Sequence, residues 1–324
     1  GYAGDLGVTC YPSVEALPET PDAALVLLGP DRAAGAVREL AARDTPAAII
    51  LAGGYGEVGE TGRKRQAELR EAAGSMRLLG PNTIGLVNVR LGAALSPSGS
   101  LEVKPLLAGS VALVSQSGGV LGSLLSRACG RGIGFTTLVS TGNEADLNVV
   151  DFVEHFLDDP DTEVIALYLE GLRDAARFRR VVSGSTKPIV AFKVGRSAAG
   201  ARSATSHTGA LAGSDRLYDA FFTQTGVIRA QTFGDLLDIA GALATDRRPR
   251  GKRLGVLTST GGAGVLVTDA CGVAGFEAPP PDPPLVEVLS GLLTDEASVA
   301  DRNPVDVTLA GLKPEVFTTA IQAM

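Results

Sequence analysis

His207 is one of only two histidines in 324 residues. It sits in the run Ser206-His207-Thr208-Gly209-Ala210-Leu211-Ala212-Gly213, behind a stretch of mostly small residues at 195–205. So little bulk and so many glycines predict a mobile surface loop. An imidazole there is poorly placed to pack. It is well placed to act as a nucleophile or to carry a group between two places. The bland alternative is a helix-edge histidine beside a glycine turn. Glu170 ends the apolar run 164–169. Ligands of open α/β sheets gather at the carboxyl ends of strands. A carboxylate there is able to accept the Nδ1–H of His207, fix its tautomer and leave Nε2 as the nucleophile. A solvated strand-end acid is the alternative. His155 falls in the helical pattern 151–157 and reads as structural or exposed.

Ser115-Gln116-Ser117-Gly118-Gly119 follows an apolar run and opens a helical pattern. Free backbone N–H groups and the helix dipole make such a turn an anion site, and glycines let a phosphate approach the backbone. A plain capped turn has the same composition. Gly54-Tyr55-Gly56-Glu57-Val58-Gly59 matches GxGxxG between a strand and a helix. Against a dinucleotide fold, Glu57 puts a negative charge where a pyrophosphate would lie, and no acid ends the next strand, Leu78-Leu79-Gly80-Pro81-Asn82. A glycine-rich loop at the edge of a ligand cleft is the favoured reading. Gly142-Asn143-Glu144-Ala145-Asp146 follows another strand end, and either lines the same cleft or uses Asp146 to cap the next helix. No metal site is expected.

The elements that must position these residues alternate. Strands are expected at 24–28, 48–52, 77–79, 110–114, 135–139, 164–169, 188–193 and 254–258. Helices are expected at 32–43, 63–73, 120–129, 149–157, 175–182 and 217–225. The alternation predicts βαβ units and doubly wound parallel sheets covered on both faces. The Ser/Gly/Pro-rich run 91–109 and the charged run 245–252 divide the chain into 1–105, 106–248 and 252–324. A repeat supports the division: Val111-Ala112-Leu113-Val114-Ser115-Gln116-Ser117-Gly118-Gly119 recurs as Leu254-Gly255-Val256-Leu257-Thr258-Ser259-Thr260-Gly261-Gly262. The chain reads as trimmed at both ends.

The balance of 29 basic and 36 acidic residues leaves a net charge of -7 and no basic stripe, which argues against general nucleic-acid binding. With 10 Phe, 5 Tyr and no Trp, the cores are expected to be largely aliphatic. Cys10, Cys129 and Cys271 are scattered and odd in number, so they read as reduced and mostly buried in a cytoplasmic protein. No apolar run approaches the ~18 residues of a membrane span.

Taken in order, five runs resemble the NDP-forming acyl-CoA synthetase family, including the α part of ADP-forming acetate–CoA ligase and, more distantly, of succinyl-CoA synthetase. They are Leu79-Gly80-Pro81-Asn82-Thr83-Ile84-Gly85, Val114-Ser115-Gln116-Ser117-Gly118-Gly119, Gly142-Asn143-Glu144-Ala145-Asp146, Ser206-His207-Thr208-Gly209-Ala210 and Asn303-Pro304-Val305-Asp306. The resemblance implies an α/β fold: a Rossmann-like CoA-binding domain followed by flavodoxin-like doubly wound parallel-sheet domains. It implies the reversible reaction acid + CoA + NTP ⇌ acyl-CoA + NDP + phosphate through an acyl phosphate and a phosphohistidine. His207 then matches the phosphorylated histidine, Glu170 its acidic partner and the 115–119 turn the phosphate-holding helix start. Gly54, Tyr55, Gly56, Gly80, Pro81 and Asn82 lie near the CoA cleft, with Asn143 and Glu144 beside it. ATP or ADP with Mg²⁺ is expected on an ATP-grasp domain or β-type subunit outside this chain, in a homo- or hetero-oligomer. The substrate is a small carboxylic acid. The first strand–loop–helix of the CoA domain is not in this sequence, which is expected to weaken CoA binding. Two rival readings are a CoA-responsive regulatory module, in which His207 is vestigial, and an NAD-dependent oxidoreductase built on 54–59.

Overall fold

The structure, a computed structural model, describes residues 7–102, 106–197, 199–200, 215–245, 249–293 and 299–324. His207 and its 201–214 surroundings lie outside the described residues. The chain forms two units, Gly1–Asp246 and Arg247–Met324.

The first unit holds two sheets. Strands β1 (Ala24–Val26), β2 (Ala47–Ile50) and β3 (Arg77–Leu79) pair in parallel in that order. They are linked by α1 (Pro30–Ala41) and α2 (Glu60–Ala73). Helix α1 starts on Pro30, where a missing N–H costs nothing, and carries Asp31 in its first turn and Arg38 in its last, as the helix dipole favours. Its Ala33, Ala34, Val37 and Leu40 form one stripe, buried against Val26, Ile50, Leu69 and Leu78.

The larger sheet contains β4 (Leu86–Asn88), β5 (Ala93–Leu95), β6 (Ala108–Ser115), β7 (Phe135–Ser140), β8 (Val164–Leu169), β9 (Ile189–Lys193) and β10 (Ile228–Arg229), in the order β10-β9-β8-β6-β7-β4-β5. Its five parallel strands run β7-β6-β8-β9-β10, the flavodoxin-like order, with the switch point at the central β6. Helices α3 (Gly118–Cys129) and α7 (Phe233–Leu243) cover one face. Helices α4 (Val149–Asp158), α5 (Ala175–Val182) and α6 (Asp215–Thr225) cover the other. Burial of both faces explains the continuous apolar runs, since all six residues of β7 and all six of β8 are buried. Alternate residues serve opposite cores: Ala112 and Val114 face α4, whereas Val111 and Leu113 face α3.

The sheets part before residue 86 rather than at 105. Strands β4 and β5 form an antiparallel hairpin, and β4 pairs with β7 in the larger sheet. Three-residue strands are too short to show alternation, so β4 goes unseen in sequence and β5 falls inside the 91–109 run read as linker. The two sheets nevertheless share a core, because Ile49 and Leu79 of the small sheet pack with Val114, Val139 and Val149.

In the second unit, β11 (Leu257–Thr258) and β12 (Val305–Asp306) pair in parallel beside α8 (Gly261–Val273), α9 (Pro283–Leu292) and α10 (Pro314–Ala323). The repeat extends to atoms. The Ser115 hydroxyl donates to Ser117 O (2.7 Å) and accepts from Ser117 N (3.1 Å). The Thr258 hydroxyl donates to Thr260 O (2.9 Å) and accepts from Thr260 N (3.1 Å).

The three cysteines are free, but none is buried. Cys10 is exposed, and Cys129 and Cys271, near the ends of α3 and α8, are half-buried. Among the described residues no helix is long and apolar enough to cross a membrane.

Candidate active site

The carboxyl ends of β6, β7 and β8 open on one cleft of about 220 Å³. Gln116, Ser117 and Gly118 come from the end of β6, Gly142, Asn143 and Glu144 from β7, and Glu170 and Gly171 from β8. The small sheet adds Leu51 after β2 and Asn82, Thr83 and Ile84 after β3. What brings β3 here is the loop after β7, which runs along its free edge. Leu147 N donates to Leu78 O (3.0 Å), Ala145 N to Gly80 O (2.9 Å) and Asn143 N to Pro81 O (2.8 Å). Gly142 has φ 59°, and a Cβ on it would lie 2.3 Å from Pro81 O, so the contact requires glycine. Asp146 does not cap α4. It accepts from Leu78 N (2.9 Å) and pairs with Arg77 (2.9 Å), which pins the loop to β3. Asn148 and Asp151 form the capping box of α4 instead.

Within the 115–119 turn the side chains build the site and the backbone is left to use it. Ser115 closes the turn on Ser117 as above, and Ser117 caps α3 by accepting from Val120 N. Gln116 braces three loops. Its Nε2 donates to Glu144 Oε1 (3.0 Å) and Gly171 O (2.8 Å), and its Oε1 accepts from Glu170 N (2.5 Å) and Gly171 N (3.0 Å). The amides of Gly118 and Gly119 have no acceptor among the described residues, as the first turn of a helix dictates. A Cβ on Gly118 would lie 2.7 Å from Ile84 Cγ2, whereas one on Gly119 meets nothing within 4 Å. Gly119→Ala is therefore expected to leave the fold as stable as before, because alanine favours helix. It should lower kcat/KM on the order of tenfold by obstructing an anion's approach to the backbone. Unfolding midpoints and steady-state kinetics check this, and unchanged kinetics would contradict it.

The glycine-rich loop does not offer a pyrophosphate site. Gly54 N (2.5 Å) and Tyr55 N (3.2 Å) donate to the Glu57 carboxylate, and Gly56 N donates to Gln66 Oε1 (3.1 Å). Tyr55 is 1% exposed in the small-sheet core. The amides of Gly54, Tyr55 and Gly56, expected near the CoA cleft, thus have acceptors within the small-sheet part itself. Burial opposes the Glu57 charge, but hydrogen bonds from Asn143 and the loop amides outweigh it and hold the carboxyl below its usual value of 4.5. A depressed folded-state pKa adds stability above the unfolded value that is lost as pH falls through the folded one. Glu57→Gln should therefore destabilise the protein at neutral pH, with the difference vanishing in acid below pH 4.5. Denaturant titrations at the two pH values check it; an equal difference at both would contradict it.

Glu144 is 6% exposed with φ 53°. Its Oε1 accepts from Gln116, Thr141 and Val149 N, each at 3.0 Å. Burial still pushes its carboxyl up. Asn82, also at positive φ (59°), donates to Asn143 Oδ1 (3.3 Å). Glu170 is 8% exposed and lines the cleft. Burial and the neighbouring Glu170 charge push the Tyr168 phenol up to about 12. Lys193, at the end of β9, is buried with its Nζ 4.6 Å from the Tyr218 ring centroid. His207 lies outside the described residues. His155 is exposed, with its ring edge-on to Phe156 at 5.2 Å.

Sequence reasoning did not single out Leu51, Gly171 and Arg173, nor, within the 79–85 run, Thr83 and Ile84. Arg173 lines the cleft, donates to Asn143 O (2.7 Å) and lies 3.8 Å from Glu144. Its only sequence signal is its place three residues beyond the strand-end acid Glu170.

Residues 108–243 match the succinyl-CoA ligase like flavodoxin domain, and residues 3–89 match the CoA binding domain. Fold and site thus define a CoA-ligase assembly of Rossmann-like and flavodoxin-like parts. The chain is 35% identical, over 97% of its length, to the α subunit of ADP-forming acetate–CoA ligase II of Pyrococcus furiosus, and covers 68% of it. It is 36% identical over its full length to the ADP-forming acetate–CoA ligase I of Archaeoglobus fulgidus, and covers 46% of that protein. It is 34% identical over 98% of its length to a trans-feruloyl-CoA synthase of an unknown prokaryotic organism, covering 46% of it. Among solved structures, an acetyl-coenzyme A synthetase of Candidatus Korarchaeum cryptofilum, complexed with phosphate and ADP, superimposes with TM-score 0.84 at 34% identity, covering 98% of this chain and 68% of that one. The chain belongs to the ADP-forming acyl-CoA ligase family. It spans between 46% and 68% of the length of these relatives.

Proposed function

We propose that this chain carries the acyl-transfer part of an NDP-forming acyl-CoA synthetase. His207 Nε2 takes a phosphoryl group from NTP and passes it to a carboxylate, giving an acyl phosphate. The CoA thiol sulfur then attacks the carbonyl carbon, the C–O bond to phosphate breaks, and acyl-CoA and phosphate leave. The thiol proton goes to solvent or phosphate. Glu170 orients the imidazole and balances its charge. The Gly118 and Gly119 amides stabilise the transferring phosphoryl group. The ends of β2 and β3, with Asn82, face the side from which the thiol arrives. Nucleotide and Mg²⁺ are held by an ATP-grasp segment or β-type subunit, and the complex works in the cytoplasm.

The observation that supports this reading best is the convergence of the acceptor-free helix-start amide of Gly118, with that of Gly119 next to it in the same turn, and a buried carboxylate, Glu170, on one cleft between the two sheets. Glu57 on the amides of Gly54 and Tyr55 speaks against the oxidoreductase reading. The regulatory reading draws nothing from the relatives above, which are named as ligases, a synthase and a synthetase. The test is an assay with the nucleotide-binding partner present. NDP release that requires both a carboxylic acid and CoA is expected; NDP release independent of both, or none with any acid, would overturn the proposal.

A further inference from the structure

The cleft is walled mainly by polar groups and backbone; its large apolar side chains are Leu51 and Ile84. Ile84 stands directly beside the phosphate turn, since its Cγ2 would touch a Cβ at position 118 at 2.7 Å. Its backbone is pinned there. The Thr83 hydroxyl donates to Ser140 O (2.5 Å) and accepts from Gly85 N (2.9 Å) on either side of it. Ile84 also lines a second, separate cavity of about 20 Å³, whose floor is Leu121, Leu125 and Leu138. That space holds roughly one water or one methyl group.

We infer that Ile84 is the partition that sets the length of the acyl group, and that this protein therefore takes short, unbranched aliphatic acids. The inference rests on the proposed acyl-CoA chemistry. An acid whose carboxylate meets a phosphoryl group at the Gly118–Gly119 amides must direct its alkyl end to an apolar wall. Leu51 and Ile84 both reach the cleft from loops that follow strands of the small sheet, and Ile84 is the one whose side chain lies against Gly118, at the helix start proposed to hold the phosphoryl group. With Ile84 in place, the leucine-floored pouch is shut off, so a longer chain or an aryl group meets the partition. Ile84→Ala removes three carbon atoms from that wall and joins pouch to cleft.

The test uses the complete enzyme with its nucleotide-binding partner and compares kcat/KM for acetate, propionate, butyrate and cinnamate. The wild type is expected to favour acetate or propionate. In Ile84→Ala the butyrate-to-acetate ratio should rise by at least about tenfold, the lower end of what one methylene is worth in an apolar pocket. Ile84→Val, which keeps most of the packing, should move the ratio the same way by less. An unchanged acid ranking in either variant that still forms phosphohistidine would overturn the inference and leave the proposed function standing. So would a wild type that prefers cinnamate. A wild type that takes no phosphoryl group from NTP would overturn both.

Discussion

His207→Ala is expected to lower turnover by at least about 10³-fold, the scale on which enzymes lose rate when a covalent group is removed from a site that otherwise still binds its ligands. Only one other histidine exists in the chain, and His155 is exposed on α4 beside Phe156, with no part in the cleft. Nothing else in the sequence offers a replacement imidazole. The variant is expected to unfold at the wild-type temperature, as for a substitution that removes chemistry and not core packing. Steady-state NDP release together with a thermal melt checks both halves. Substantial activity in a well-folded variant would remove His207 from the mechanism.

Glu170→Gln is expected to cost on the order of 10²–10⁴-fold in kcat. The substitution keeps size and leaves the backbone bonds of residues 170 and 171 to Gln116 intact, so the β8 end should hold its shape. What it removes is a charge in a nearly buried position, 8% exposed, where little water screens it. A neutral amide neither fixes the imidazole tautomer nor offsets a developing imidazolium. Glu170→Asp keeps the charge and should recover part of the loss. Measured kcat for the two variants decides the matter: equal losses would mean that shape, not charge, is what Glu170 supplies.

The parallel strands were legible because burial on both faces writes them as continuous apolar runs, as in β7 and β8. The site was legible for a related reason. Ligand chemistry gathers at strand ends, and Asn82, Gln116, Ser117, Gly118, Asn143, Glu144 and Glu170 all stand just beyond one and all line the same cleft. Residue type did not reveal which part of each residue is used. The 115–119 turn reads as an anion site, and its sequence does not show that the side chains of Ser115 and Gln116 hold the turn and brace three loops. Tyr55 reads as a cofactor contact and is packed inside the small-sheet core. Asp146 reads as a cleft or cap residue and ties the β7 loop to β3. Each of these depends on a partner distant in sequence, which spacing does not record. The same holds for Arg173 and Ile84, and for β4, whose place in the larger sheet is set by β7 nearly fifty residues on.

The measurement that meets the central claim most directly is intact-protein and peptide mass spectrometry after incubation with ATP, Mg²⁺ and the nucleotide-binding partner, under conditions that preserve acid-labile phosphate. One phosphoryl group on the peptide containing His207, discharged on adding a carboxylic acid and CoA together, is the expected result. A protein that releases NDP in the presence of acid and CoA while His207 never carries phosphate would contradict the account.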